Sequence, residues 1–143
     1  MAITDITRTS LLDRLLLADR PFHGRMDLVA FLKRVWDLSS MPSTDRRFED
    51  AAGDIWQHMV NNSDWSYEYL LQERLDLLAC DDKTFLRFME TCLHPLVVGD
   101  DAEAERLAAV FDPLLEMDGY TLAIAEHISG RAIYKAVELG TGM

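Results

Sequence analysis

The chain has 143 residues, about half of them hydrophobic, and a formal net charge of -11. This length and composition predict one folded domain spanning residues 1–143 and exclude a disordered or collagen-like protein. The longest apolar runs fall short of the ~20 residues that span a bilayer, and the start MAITDITRTS lacks the features of a signal peptide, so we expect a cytoplasmic protein without membrane contact.

The first helices are predicted from apolar periodicity. Ser10 is expected to cap a helix that ends near Ala18, and a second helix is expected from about Met26 to Leu38. A third helix is predicted to begin near Ser43 or Thr44 and to end near Asn61. Its apolar face would comprise Phe48, Ala51, Ala52, Ile55 and Met59.

Three further helices are predicted before the pattern changes. Their expected N-caps are Ser63 or Asp64, Asp81 or Asp82, and Asp100 or Asp101. Pro113 lies inside the last of these patterns and predicts a kink.

Beyond Gly119, the segments YTLAIAEH and AIYKAVEL alternate apolar with small or polar residues around the turn SGR. This pattern favours a β-hairpin, with two short helices as the alternative because alanine and glutamate are poor strand formers. The fold class is therefore mainly α, with about six helices and a small C-terminal hairpin.

The charge is distributed unevenly along the chain. Residues 1–47 carry eight basic and six acidic side chains, whereas residues 48–143 carry six basic and nineteen acidic ones. A strongly acidic chain repels a nucleic-acid backbone, so nucleic acid is an unfavourable partner. A polyanion would contact the N-terminal third, and a basic partner would prefer the rest.

The stretch DIWQHMVNNSDW, residues 54–65, concentrates polar and aromatic side chains at the end of the third helix. Helical spacing places Asp54, His58 and Asn61 along one edge, in line with Arg47 and Asp50. One interpretation is that Asp54 orients His58 for acid–base work or ligand binding.

The favoured interpretation of this stretch is a structural network. In it, His58 and Asn61 bond loop backbone, Asp64 caps the next helix, and Trp56 and Trp65 pack. The histidines are scattered without metal-ligand spacing, so we predict neither a metal nor a cofactor.

Arg87 and His94, separated by six residues in RFMETCLH, resemble the Arg/His signature of HEPN-type ribonucleases. Such residues assist attack of a ribose 2′-hydroxyl on the neighbouring phosphate. Here Phe88 follows the arginine where that family carries a polar residue. A small RNase toxin using Arg87 and His94, possibly with His58, is the alternative function.

Several short blocks occur in one order over roughly residues 10–135: FLKRVWDLSSMPSTDRRFEDAAGDIWQHMVNNSDW, FLRFMETCLHPLV, LLEMDGY and ISGRAIY. This series resembles the helical N-terminal domain of AbiJ-type abortive-infection proteins. The residues that carry the resemblance are Pro42, Ser43, Asp45, Arg47, Asp54, His58, Asn62, Asp64, Trp65, His94, Pro95, Gly119, Tyr120, Ser129 and Gly130.

In that family the domain usually precedes an effector, such as a HEPN ribonuclease or a TIR-like module. The resemblance implies a non-catalytic sensor, regulatory or protein-interaction module of a bacterial antiphage system, with an effector in cis or in trans. Only KAVELGTGM follows Tyr134, so a free-standing member and a fragment of a longer protein both remain open. The predicted binding surface comprises Arg47, Asp54, His58, Asn61, Asn62, Asp64, Trp65 and His94.

Overall fold

The first helix, α1, spans Asp5–Leu16 in the computed structural model, which describes residues 2–18 and 20–139. The expected single domain over residues 1–143 also includes residues 1, 19 and 140–143, which lie outside the described residues. The hydroxyl of Thr4 accepts the Thr7 N–H and caps α1. The predicted cap at Ser10 is wrong, because α1 already begins at Asp5 and Ser10 lies inside it.

The second helix, α2, spans Leu28–Lys33 and is shorter than predicted. Its cap is Asp27, whose carboxylate accepts the Ala30 N–H at 3.1 Å. A separate 3₁₀ turn follows at Leu38–Ser40. The Asp37 carboxylate accepts the hydroxyls of both serines in that turn, and this local bonding competes with continuation of the helix.

The third helix, α3, spans Ala51–Trp56 and continues as a π-helical turn at Gln57–Asn61. The predicted start near Ser43 or Thr44 is wrong. Asp50 caps α3 by accepting the Gly53 N–H at 3.2 Å, and residues 42–50 form irregular chain. The N–H and hydroxyl of Thr44 bond the side chain of Asp54, and this contact holds the preceding segment against α3.

A second π-helical segment spans Tyr69–Arg74 and buries Leu70 and Leu71. The hydroxyl of Ser66 accepts the Tyr69 N–H at 3.0 Å, so the predicted caps at Ser63 or Asp64 are wrong. Ser63 has a positive φ of 54°, whereas an N-cap has extended backbone.

The next two helices confirm the predicted caps. Helix α4 spans Asp82–Cys92 and begins after Asp81, and helix α5 spans Asp101–Glu116 and begins after Asp100. Each capping carboxylate accepts a backbone N–H three residues further along the chain. Pro113 lies inside α5.

The predicted β-hairpin is confirmed. Strands β1, Tyr120–Ile128, and β2, Arg131–Glu138, pair antiparallel around Ser129 and Gly130. Both turn residues have positive φ, 51° and 79°, as a two-residue hairpin turn of the favoured twist requires. Gly119, with φ of 90°, ends the α5 region immediately before β1.

The hairpin packs against the helices, with β1 on α5 and β2 on α4. The Asp112 carboxylate accepts the Leu122 N–H, and the Glu90 carboxylate accepts the Ala136 N–H, both at 2.8 Å. These bonds compensate for the weak strand preference of a sequence rich in alanine and glutamate.

The core joins the helices to the inner face of the hairpin. Fully buried phenylalanines contribute the largest side chains at its centre, namely Phe31, Phe85, Phe88 and Phe111. The fold is mainly helical, as the sequence predicts. Within the described residues, no helix is both long enough and apolar enough to cross a bilayer.

Candidate functional site

The imidazole of His58 lies between an indole and two carboxylates. It stacks on Trp65 with the ring centroids 4.4 Å apart and an interplanar angle of 10°. Its Nδ1 is 2.8 Å from Asp64 Oδ1, and its Nε2 is 3.8 Å from Asp45 Oδ2. We call His58, Asp45, Arg47, Asp64 and Trp65 the His58 surface.

The π-helical turn produces this arrangement. The Asn62 N–H donates to the Gln57 carbonyl at 2.9 Å, which is the i to i−5 bond of a π turn. The carbonyl of His58 then accepts the N–H groups of both Asp64 and Trp65, at 2.8 and 3.2 Å. The chain therefore folds back over His58 and brings the indole onto its ring.

The Asp45–Arg47 pair closes the other side of the His58 surface. The Arg47 guanidinium donates to both oxygens of the Asp45 carboxylate, with Nη2 2.7 Å from Oδ2. These bonds and the nearby positive charge lower the pKa of Asp45 to about 2. Asp45 therefore presents a negative charge to the Nε2 edge of His58 at neutral pH.

Asp54 belongs to a separate buried network. Its side chain is 0% exposed, and its Oδ2 accepts from the Thr44 N–H and hydroxyl and from the Arg74 guanidinium. Its Oδ1 is buried and has no hydrogen-bond partner among the described residues. The less favoured interpretation, in which Asp54 orients His58, is wrong, because Asp54 bonds Thr44 and Arg74 whereas the His58 ring bonds Asp64.

The structural interpretation of the stretch is also wrong in its partners. Asp64 bonds the His58 ring and caps no helix, and the Asn61 amide donates to the Gln57 side chain at 3.1 Å. Trp65 packs against the core as expected, but Trp56 is 46% exposed. Asn62 is exposed beside them.

Arg87 and His94 lie in a different place. They line one cavity of about 230 Å³ with Arg34, Glu90 and Lys135, and no residue of the described His58 surface lines it. His94 Nδ1 accepts the Leu96 N–H at 3.0 Å. The predicted binding residues therefore fall in three places: Asp54 lies in the buried network, His94 lines this cavity, and the others lie at or next to the His58 surface.

Sequence reasoning missed Tyr69 and Arg74. The Tyr69 ring lies 5.1 Å from that of Trp65 and extends the aromatic surface, and Arg74 neutralises Asp54. For Tyr69, the spacing of four residues from Trp65 was a signal that sequence reasoning could have used. The pairing of Arg74 with Asp54 spans 20 residues and had no local signal. In the described part of the chain, no group of three or more His, Cys, Asp or Glu side chains could hold a metal ion.

The sequence model of the AbiJ N-terminal domain 3 family matches residues 2–136. The chain belongs to the AbiJ N-terminal domain 3 family. Membership associates it with abortive infection, a bacterial antiphage response. No curated protein and no solved structure shows significant similarity to the chain.

Many of the residues that carry the AbiJ resemblance have structural contacts in this AbiJ N-terminal domain. The Pro42 carbonyl accepts from Arg74, and the Ser43 hydroxyl bonds the backbone of Asp45. The Ser129–Gly130 pair forms the hairpin turn. Those motifs therefore specify the fold, and the exposed parts of the His58 surface remain as candidates for recognition.

Proposed function

We propose that the chain is a non-catalytic sensor or regulatory module of a bacterial antiphage system that binds a protein partner. It would act with an effector in cis or in trans. The observation that carries the proposal is the His58–Trp65 stack, which the π turn and Asp64 hold in a single arrangement at the surface. A pre-ordered aromatic surface binds with a smaller loss of side-chain entropy than a mobile one.

The contacts of His58 support recognition over catalysis. Its Nδ1 is engaged by Asp64, and its Nε2 faces Asp45. A histidine that activates a protein nucleophile for covalent catalysis requires that nucleophile within hydrogen-bond reach. In the part of the chain that the structure describes, no serine, threonine or cysteine side chain bonds the His58 ring.

An exposed aromatic side chain extends the His58 surface. Tyr69, whose ring lies 5.1 Å from that of Trp65, is 44% exposed. Tryptophan, tyrosine and arginine are the residues most enriched at the energetic centres of protein interfaces. Trp65 and Tyr69 supply the first two of these residue types, and Arg47, whose side chain is 64% exposed, supplies the arginine.

The charge of this region indicates the chemistry of the partner. Asp45 and Asp64 flank the imidazole, and residues 48–143 carry nineteen acidic against six basic side chains. Complementary charge accelerates and orients association. A partner with a basic surface around an apolar centre therefore fits best.

The test uses the intact locus in a bacterial host and a phage that the locus blocks. We expect His58→Ala/Trp65→Ala to reduce protection by about tenfold or more and to release the effector encoded with the chain from co-purification. The matched control is Met117→Ala, which removes an apolar side chain that is 68% exposed on α5's C-terminal side. The Met117→Ala variant should retain both phage protection and co-purification of the effector.

Circular dichroism would verify that the double variant is folded. Full protection together with unchanged effector co-purification by that variant would refute the His58 surface as the interaction site. Equal losses in the Met117→Ala control would refute it as well.

The second candidate function is an RNase that uses Arg87 and His94, and it is favoured by their position in one cavity. The hydrogen bond of His94 argues against it. Because Nδ1 accepts from Leu96, the neutral ring carries its proton on Nε2 and has no free lone pair with which to act as a base. Cleavage of total RNA by the parent chain, with none by His94→Ala, would establish the RNase and overturn the proposal.

A further inference from the structure

Three adjoining cavities form a groove between the chain after α2, helix α4 and strand β2. The first and third have volumes of about 450 Å³, and the second, of about 230 Å³, connects them through shared lining residues. Arg87 lines all three. We call this groove the basic groove and define it by Lys33, Arg34, Lys83, Arg87, His94 and Lys135.

The groove concentrates positive charge in an acidic protein. All three lysines of the chain line it, together with two arginines, whereas the whole chain has a net charge of -11. Among the residues that the structure describes, three carboxylates line the same cavities. The groove is therefore a local region of positive charge in an acidic protein.

The three carboxylates are already engaged. Asp82 pairs with Arg8 at 2.8 Å, and Asp37 accepts the hydroxyls of the 3₁₀ turn. Glu90 accepts the Ala136 N–H at 2.8 Å and lies 3.7 Å from Lys135. The guanidinium groups of Arg34 and Arg87 have no hydrogen bond or ion pair within residues 2–18 and 20–139.

His94 lines the middle cavity together with Arg34, Arg87 and Lys135. Burial of its ring lowers its pKa, and the charges of Arg34 and Lys135 lower it further. The neutral ring accepts the Leu96 N–H at Nδ1 and so keeps a hydrogen on Nε2. That N–H is a donor for an oxygen atom of an anion.

We propose that the basic groove binds a nucleotide that carries two or more phosphates. Cations follow one another through the connected cavities, so successive phosphates can each meet a guanidinium or ammonium group. Half-buried Trp36 lines the first cavity and offers an indole for a nucleobase to contact. The two larger cavities, of about 450 Å³ each, have the volume of small-molecule sites.

A nucleotide fits the charge distribution better than a nucleic-acid polymer. A polymer would extend beyond the groove and place phosphates against a surface with a large acidic excess. A nucleotide confines its charge to the cationic region. This inference concerns a different set of residues from the His58 surface and does not depend on the proposed function.

The test is isothermal titration calorimetry of the purified chain with each of the four ribonucleoside triphosphates, inorganic tripolyphosphate and a short single-stranded RNA. We expect at least one nucleotide to bind more tightly than tripolyphosphate and than the RNA. Arg87→Ala should weaken the binding of that nucleotide by about tenfold or more, because a charge-assisted bond is lost. Arg87→Lys, which keeps the charge, should weaken it less.

The matched control is Arg106→Ala, which removes the same charge from an exposed position on α5 that lines none of the three cavities. It should leave the nucleotide affinity within about twofold of the parent value, since screened surface charge contributes little. Thermal melting would verify that every variant is folded. Arg87 is exposed, and its guanidinium makes no described bond, so folding should persist.

Several results would overturn the proposal. The first is the absence of binding heat with every nucleotide at millimolar concentration. The second is an affinity for tripolyphosphate equal to that for the nucleotides. The third is a loss of nucleotide affinity in Arg106→Ala equal to that in Arg87→Ala. Tighter binding of the RNA, weakened by Arg87→Ala, would assign the groove to RNA instead.

Discussion

His58 and Trp65 form a parallel stack, with ring centroids 4.4 Å apart and planes inclined by 10°. The two residues are close because the His58 carbonyl accepts the Trp65 N–H at 3.2 Å at the end of the π turn. A backbone hydrogen bond and the stacking of the two rings therefore both join His58 to Trp65. Both side chains are half-buried, and the two rings pack against each other at the surface.

This relationship predicts energetic coupling between the two rings. In a double-mutant cycle of His58→Ala and Trp65→Ala, we expect a coupling free energy of about 0.5–1.5 kcal/mol, the value typical of aromatic pairs. Urea denaturation of the parent, both single variants and the double variant would measure it. Additive losses in the free energy of unfolding would show that the stack contributes no stability of its own.

Asp54→Ala should be strongly destabilising. It removes the partner of Arg74, whose side chain is 10% exposed, and would leave a largely buried guanidinium without its carboxylate. We expect the free energy of unfolding to fall by about 3–5 kcal/mol. Asp64→Ala is the control, because its exposed carboxylate should contribute only about 0–1 kcal/mol. Equal urea midpoints for the two variants would contradict the buried network.

Asp45 should titrate with a pKa of about 2, below its usual 3.8, because Arg47 donates to both carboxylate oxygens. Since the folded-state pKa is depressed, the associated stabilisation is present above pH 3.8 and is lost as the pH falls toward 2. NMR titration of the side-chain carboxyl would measure the pKa. Arg47→Ala should return it toward 3.8, and an unchanged value would contradict the cause assigned here.

His94 should titrate below the usual 6.5, because burial and the charges of Arg34 and Lys135 disfavour its protonated form. A depressed histidine pKa means that the unfolded state binds the proton first. Stability therefore decreases as the pH falls below 6.5 and stops decreasing once the folded-state pKa is passed. NMR titration should show that Lys135→Ala raises the pKa, whereas the control Arg106→Ala does not.

The helices with local signals were predictable from sequence. Asp81 and Asp100 each stand before an amphipathic run and cap through bonds that reach three residues along the chain. The hairpin was predictable because two segments of alternating apolar and small or polar residues flank a turn that contains Gly130, a residue that adopts positive φ readily. Long-range contacts decided other boundaries. Thr44 bonds Asp54 across ten residues, so the third helix begins later than its apolar pattern indicates.

The sequence by itself determined the mainly helical class, the C-terminal hairpin and the family, because caps, turns and ordered motif blocks act over short distances. Only the tertiary structure decided which charges meet. It paired Asp54 with Arg74, placed His58 on Trp65, and brought lysines from three separate parts of the chain to one groove. Burial and charge pairing depend on neighbours that are distant in sequence, and only the folded chain defines those neighbours.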